Sequence, residues 1–157
     1  MKNSFISQFH TPYSILTPVT LPYNHSMEKI CEIVVGQGKS VYLVGGEQGI
    51  AEKAAEKLQK KYHGLKVVGA EKGMVFQCHL ELNKEFLKKE FLVCQGFDAS
   101  EGKKLFERIR AAAPDILFVA FGHGKQEKWL AEFLPRLPSV KIGMGVGGAF
   151  DYISGNI

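Results

Sequence analysis

The sequence is poor in aspartate and cysteine and lacks long apolar runs. Its three aspartates are too far apart for a D-x-D motif, so no motif of this kind is available to hold a metal ion on a diphosphate. The cysteines form no C-x-x-C pair, which excludes a disulfide scaffold and indicates reduced core residues in a cytosolic protein: Cys31, Cys78 and Cys94. No run approaches the roughly 18 apolar residues of a membrane span, and residues 3–26 lack a signal-peptide pattern.

The charge of the chain is modestly positive. Twenty Lys and Arg residues against 16 Asp and Glu residues give a net charge of +4, and the excess lies within residues 39–157. Such an excess suits an anionic ligand or an anionic membrane surface, and it also fits a solvated helix face. No dense basic arm or nucleic-acid motif is present, so we expect no nucleic-acid partner.

Strand-like and helix-like segments alternate along the chain from about residue 26, and the residues before it follow no such pattern. Residues 1–25 contain three prolines and no clean period, which predicts an extended or poorly ordered lead-in before one domain at 26–157. The predicted helices are 27–35, 50–62, 98–109 and one around Trp129, and the predicted strands are 41–44, 65–68, 116–121 and 140–144, with a weaker strand at 90–94. This order predicts an α/β, Rossmann-like parallel sheet with helices on both faces.

Glycine clusters follow three of the predicted strands, at 45–49, 122–124 and 145–148. Ligands bind at the carboxyl ends of strands in an open α/β sheet, where glycine lets backbone N–H groups approach a phosphate. Glycine in tight turns for geometry alone remains the alternative. A literal G-x-G-x-x-G at 143–148 and the pair Gly46 and Gly49 with Glu71 both fall short of the dinucleotide fingerprint in its required context.

The segment 114–129 is the most informative one for chemistry. A predicted strand ends in Gly122-His123-Gly124, and a helix then begins with Lys125-Gln126-Glu127. Lys125 can neutralise a phosphate, Gln126 can exchange hydrogen bonds with sugar hydroxyls, and Glu127 suits the positive end of the helix dipole. His123 either touches the ligand or is an exposed loop residue, and none of the five histidines has metal-ligand spacing.

Two long motifs resemble those of the WecG/TagA/CpsF glycosyltransferases, glycosyltransferase family 26. They are F-V-A-F-G-x-x-K-Q-E-K-W at 118–129 and G-V-G-G-A-F-D-Y-x-S-G at 145–155, and the similarity extends from about residue 21 to 155. The resemblance implies a hexosyltransferase-type enzyme without a cofactor. It would transfer an N-acetylmannosamine-type sugar from a UDP-sugar to a polyprenyl-diphosphate-linked acceptor, for bacterial teichoic acid or cell-surface polysaccharide.

The resemblance also implies site residues and a location. Gln126 would be the catalytic contact in the cleft, and the substrate would be bound by a wider set: Gly45, Gly46, Gly122, His123, Lys125, Gln126, Gly147, Gly148 and Asp151. The protein would be cytoplasmic, with peripheral contact at the inner face of the plasma membrane. A homo-oligomer is left open.

Three departures from the family pattern bear on activity. Gly124 stands where the family usually has proline, no aspartate precedes Asp98 to match the proposed general base, and the family's basic C-terminal segment would begin near Ile157. The chain is therefore expected to be a glycosyltransferase that is incomplete or inactive by itself. The alternatives are a non-catalytic nucleotide-sugar-binding module and an NAD-dependent oxidoreductase.

Overall fold

A computed structural model describes residues 14–16, 23–73, 76–80, 92–97 and 99–156. Seven strands lie within these ranges: β1 (Ser14–Leu16), β2 (Ser40–Gly45), β3 (Lys66–Glu71), β4 (Phe76–Leu80), β5 (Leu92–Phe97), β6 (Ile116–Ala120) and β7 (Ile142–Gly145). They are accompanied by a 3-10 turn at Leu134–Arg136 and by the helices α1 (Tyr23–Val35), α2 (Ile50–Lys61), α3 (Ala99–Ala112), α4 (Lys125–Phe133) and α5 (Ala149–Ser154).

Five of these strands form one parallel sheet in the order β1-β7-β6-β2-β3. The central strands β2 and β6 are apolar and buried along most of their length, as expected for strands covered on both faces. The predicted α/β, Rossmann-like parallel sheet is confirmed. The remaining two strands, β4 and β5, pair with each other in antiparallel fashion, a departure from the strict alternation that the sequence predicted.

Helices cover both faces of the parallel sheet. On one face α1, α2 and α5 pack over the alternate strand residues Val41 and Leu43, and on the other face α3 and α4 pack over Tyr42 and Val44. Each face therefore has its own apolar layer, with side chains that alternate along each strand. The largest buried side chains of the two layers are Phe118 and Phe150 on the first face and Trp129 on the second.

The boundaries of several elements differ from the predicted ones. Strand β1 and the start of α1 lie within the residues assigned to the lead-in, and α5 was not predicted. Strand β7 begins at Ile142 rather than at Val140, because Val140 N–H closes a turn onto the carbonyl of Leu137 at 3.1 Å. The weaker strand expected at 90–94 is found in part as β5, while residues 90 and 91 and the Asp98 end of the predicted capping box lie outside the described residues.

The direction of chain winding reverses between β2 and β6. The connection from β2 through α2 leads to β3 at one edge, whereas the connection from β6 through α4 leads to β7 on the other side. Strands β2 and β6 are neighbours, so the two connections diverge from their carboxyl ends. A crevice for a ligand forms at such a topological switch point.

Candidate functional site

A cleft of about 580 Å³ lies at this switch point. Its wall combines residues that follow β2, β3, β6 and β7 with the last residue of β6 and the first residue of α4: Gly46, Glu47, Gly73, Ala120, Phe121, Lys125, Asp151 and Asn156. Three of these, Gly46, Lys125 and Asp151, belong to the site predicted from the sequence. The cleft carries a lysine and two carboxylates, so it has groups for an anion and for hydroxyl donors.

The end of β2 touches β6 directly through Gly45 and Gly46. Gly45 has φ 130°, and a Cβ at this position would lie 2.4 Å from the carbonyl oxygen of Ala120, so no side chain fits. Gly46 has φ 70°, and its N–H donates to the same oxygen at 3.1 Å. The two glycines therefore allow β2 to end in close backbone contact with β6, and Gly46 lines the cleft.

The loop before α4 also depends on backbone geometry. Gly122 has φ 89° and its carbonyl accepts from the N–H of Gln126 at 3.1 Å, while Gly124 has φ 81° and donates its N–H to Oε2 of Glu127 at 2.6 Å. Proline is restricted to φ near −65°, so it could not adopt the conformation that Gly124 has here. The loop thus differs in a specific way from one built with the proline that is usual in the family.

Gln126 is buried behind the cleft, with 1% of its surface exposed. Its Oε1 accepts from the N–H of Gly147 at 3.0 Å, and its Nε2 donates to Oε1 of Glu127 at 3.1 Å. A Cβ on Gly145 would lie 2.7 Å from Cδ of Gln126, so the absence of a side chain at 145 makes room for the amide. Both ends of the Gln126 amide are engaged within the protein, an arrangement that suits a link between two loops.

The loop after β7 brings further predicted residues to the same region. Gly147, with φ 52°, donates its N–H to Gln126, and the carbonyl of Gly148, which directly precedes α5, accepts from the N–H of Tyr152 at 3.2 Å. Asp151 lines the cleft, and its Oδ1 accepts from Nδ2 of Asn156 at 3.4 Å. Of this predicted group, only Asp151 lines the cleft.

His123 is not one of the residues that line the cleft. Its side chain is 93% exposed, and its Nδ1 lies 4.0 Å from Oε1 of Glu127. His123 is thus an exposed loop residue in this structure, and its contact with substrate stays a prediction.

Five residues of the cleft wall were not predicted as site residues: Glu47, Gly73, Ala120, Phe121 and Asn156. Glu47 lies within the predicted turn at 45–49, and Phe121 ends the predicted strand, so position relative to the strand end could have indicated both. The ring of Phe121 packs edge-on against Trp129, with centroids 5.5 Å apart. Gly73 follows β3, and a Cβ there would lie 2.8 Å from the Phe121 ring.

Glu71, the acidic residue considered with Gly46 and Gly49 for a dinucleotide fingerprint, is hydrogen-bonded to other side chains of the protein. Arg108 holds both of its oxygens, with Nε 3.1 Å from Oε1 and 2.9 Å from Oε2, and the hydroxyl of Tyr42 donates to Oε1. Burial, followed by the hydrogen bond to Glu71, raises the pKa of the Tyr42 hydroxyl well above its ordinary value. The carboxylate therefore joins β2, β3 and α3.

Within the described ranges, no three His, Cys, Asp or Glu side chains are grouped in a way that could hold a metal ion. Among the helices of the described residues, none combines the length and apolar character needed to cross a bilayer. Cys31 is fully buried in α1, and burial raises the pKa of its thiol to about 12, which makes it an inert core residue.

The fold is that of a doubly wound α/β protein with a cleft at the topological switch point of its sheet. The sequence profile described as the glycosyl transferase WecG/TagA/CpsF family matches residues 16–157, and the chain belongs to this family. The resemblance seen in the two motifs is thereby confirmed.

Curated relatives from two Bacillus species are similar over 119 residues. One is the N-acetylglucosaminyldiphosphoundecaprenol N-acetyl-beta-D-mannosaminyltransferase of Bacillus subtilis (strain 168), 25% identical over 76% of this chain. The other is the protein of the same name from Bacillus spizizenii (strain ATCC 23059 / NRRL B-14472 / W23), 23% identical over 76% of this chain. The alignment covers 37% of each relative's length.

Proposed function

We propose that this chain binds a UDP-sugar in the switch-point cleft and takes part in transferring an N-acetylmannosamine-type sugar to a polyprenyl-diphosphate-linked acceptor. The observation that carries the proposal is that the chain segments after β2, β6 and β7 meet at one cleft, with Lys125 on its wall, in a member of this family. The names of the two Bacillus relatives support the sugar and the lipid-linked acceptor. The acceptor would bring the protein to the cytoplasmic face of the membrane as a peripheral protein.

The cleft suits the diphosphate of such a donor. Lys125 is the first residue of α4, so its ammonium and the positive end of the helix dipole lie at the same side of the cleft. In the transfer, the acceptor hydroxyl forms a bond to the anomeric carbon and gives its proton to a base. The bond from that carbon to the UDP oxygen breaks, and UDP leaves with the electron pair. Lys125 would stabilise the charge on the leaving UDP.

The other predicted site residues receive different roles in this proposal. Gly45 and Gly46 let the backbone approach the ligand, and Asp151 accepts hydrogen bonds from donor hydroxyl or amide groups. Gln126, first assigned as the catalytic contact, is proposed to position the loops through its buried amide. Direct contact of Gly122, His123, Gly147 or Gly148 with substrate stays a prediction.

Isothermal titration calorimetry with UDP tests the binding step. Removing the charge with Lys125→Met is expected to raise the Kd for UDP roughly tenfold, since one phosphate contact is lost. Lys128→Met is the matched control, because Lys128 lies on the same helix and is exposed outside the cleft wall. Equal affinities in the two variants, or tighter binding of NAD than of UDP by the unmodified chain, would contradict the proposal.

A turnover assay with UDP-N-acetylmannosamine and a lipid-linked N-acetylglucosamine acceptor tests the transfer step. Release of UDP that depends on the acceptor supports catalysis by the chain. Binding of UDP without release would instead favour the non-catalytic nucleotide-sugar-binding module.

A further inference from the structure

Three hydrogen bonds connect the loop before α4 with the loop after β7 through what we call the amide clasp, consisting of Gly124, Gln126, Glu127 and Gly147. Gly124 N–H donates to Oε2 of Glu127 at 2.6 Å, and Gln126 Nε2 donates to Oε1 of the same carboxylate at 3.1 Å. The other end of the Gln126 amide accepts from Gly147 N–H at 3.0 Å. The clasp therefore connects the loop after β6 with the loop after β7.

The direction of the clasp is set by its donors and acceptors. Both ends are backbone N–H groups, which can only donate. The Gln126 amide must therefore turn its oxygen towards Gly147 and its NH2 group towards Glu127. The two donors that remain are the N–H of Gly124 and the NH2 group of Gln126. The side chain between them must accept a hydrogen bond from each, and an ionised carboxylate at 127 can do so.

We infer that Glu127 is a positioning residue, which orients the buried Gln126 amide and so holds the two loops of the UDP-binding cleft together. The first loop leads into Lys125 and the second into Asp151, which are on the cleft wall. This inference rests on the proposed function, because it assigns Glu127 a role in ligand affinity. It also has a consequence for the protein alone, namely protection of the Gly147 amide hydrogen.

Neutral substitution of Glu127 brings two donors face to face. In Glu127→Gln, the new NH2 group meets either Gly124 N–H or the Gln126 NH2 group, and turning the Gln126 amide only moves the conflict to Gly147 N–H. In Gln126→Glu, two carboxylates meet where the present atoms are 3.1 Å apart. Each single change is expected to weaken UDP binding about tenfold, because a buried polar contact is left unsatisfied.

Exchanging Gln126 and Glu127 restores all three hydrogen bonds of the amide clasp. In the double variant Gln126→Glu with Glu127→Gln, the carboxylate at 126 accepts from Gly147 N–H and from the NH2 group at 127. The carbonyl oxygen at 127 then accepts from Gly124 N–H. The net charge equals that of the unmodified chain, so a recovery cannot come from a change in overall charge.

The test measures Kd for UDP by calorimetry and Gly147 amide exchange by NMR in the full chain. The control is Glu132→Gln, an exposed change on the same helix that removes the same charge and is expected to alter neither quantity. Recovery of affinity in the double variant to at least threefold better than both single variants, with slow Gly147 exchange restored, supports the inference.

Distinct outcomes separate the two proposals. A single variant with unchanged Gly147 exchange, or a double variant that recovers neither exchange nor affinity, overturns the role of Glu127. If a single variant does not fold, the double variant must still fold and bind, and its failure to do so also overturns that role. Absence of UDP binding by the unmodified chain overturns the proposed function instead, and the exchange data still decide whether Glu127 orients the clasp.

Discussion

Replacing Gly45 by alanine should disrupt the contact between β2 and β6 at the carboxyl ends of these strands. The added Cβ would lie 2.4 Å from O and 2.6 Å from C of Ala120, both backbone atoms that cannot rotate away. The φ of 130° at Gly45 adds a conformational penalty of about 1–3 kcal/mol for a residue with a side chain. Forcing an extra carbon into a packed interior adds a further 1–3 kcal/mol or so. The free energy of unfolding should fall by at least about 2 kcal/mol.

Gly64→Ala is the matched control for this prediction. Gly64 has φ 90° but no atom within 4 Å of an added Cβ, so only the conformational penalty of about 1–2 kcal/mol applies. It precedes β3 and thus lies at the opposite edge of the sheet from the cleft. The difference between the two variants therefore isolates the collision with Ala120.

Equilibrium unfolding in urea measures both variants. We expect Gly45→Ala to lose more stability than Gly64→Ala, with the midpoint lowered and the slope unchanged. UDP affinity should fall in Gly45→Ala as β2 and β6 separate, and it should stay unchanged in Gly64→Ala. Equal losses of stability would refute the argument that the contact between the two strands leaves no space for a side chain.

Two further predictions concern links between distant segments. Asp115→Ala removes the acceptor of Ser40 N–H and Oγ, at 2.8 and 3.1 Å, and should lower the free energy of unfolding by about 1 kcal/mol at pH 7, after allowance for partial exposure. The hydrogen bonds from Ser40 lower the pKa of Asp115 below 3.8. The stability that they contribute is therefore present above about pH 4 and is lost as the pH falls below it. If the difference in urea unfolding between Asp115→Ala and the unmodified chain did not change with pH, the assignment would be wrong. Glu71→Ala leaves the buried Tyr42 hydroxyl without its acceptor and should cost about 2 kcal/mol. Tyr42→Phe keeps the contact of Glu71 with Arg108, so thermal unfolding should show a smaller loss, and an equal loss would count against the shared role of the carboxylate.

The sheet and its main helices could be predicted because local pattern and tertiary environment agree there. The apolar runs at 41–44 and 116–120 became the two central strands, and the stripe beginning at Ile50 became α2. Glycines after these strands indicated where the cleft would lie. Local sequence sufficed for these features, since burial on both faces requires continuous apolar strands.

The elements that the sequence did not predict depend on contacts between distant segments, which the hydrophobic pattern of one segment does not reveal. Helix α5 has only six residues, too few for a periodic stripe to be recognised, and it is held by packing against α1 and α2. Strands β4 and β5 pair with each other in a separate sheet, so alternation of strand and helix fails between β3 and α3. The grouping of Glu71 with Tyr42 and Arg108 likewise joins segments that only the folded sheet brings together.

The burial of Gln126 had a signal in the sequence. Gln126, Trp129 and Leu130 occupy positions i, i+3 and i+4, and all three are buried on one side of α4. A polar residue on an apolar stripe predicts a buried group with internal partners. The catalytic interpretation of Gln126 came instead from the resemblance to the family.

The three consecutive residues Lys125, Gln126 and Glu127 divide their tasks by helix geometry. Successive positions on an α-helix differ by about 100° in direction, so adjacent side chains cannot all face one ligand. Lys125 lines the cleft, Gln126 points into the interior beside Gly145, and Glu127 reaches back to Gly124. In this motif Lys125 supplies a charge for the ligand, Gln126 connects two loops, and Glu127 fixes the orientation of the Gln126 amide. Substitutions at these three positions should change three different observables, namely ligand affinity, loop protection and the orientation of the buried amide.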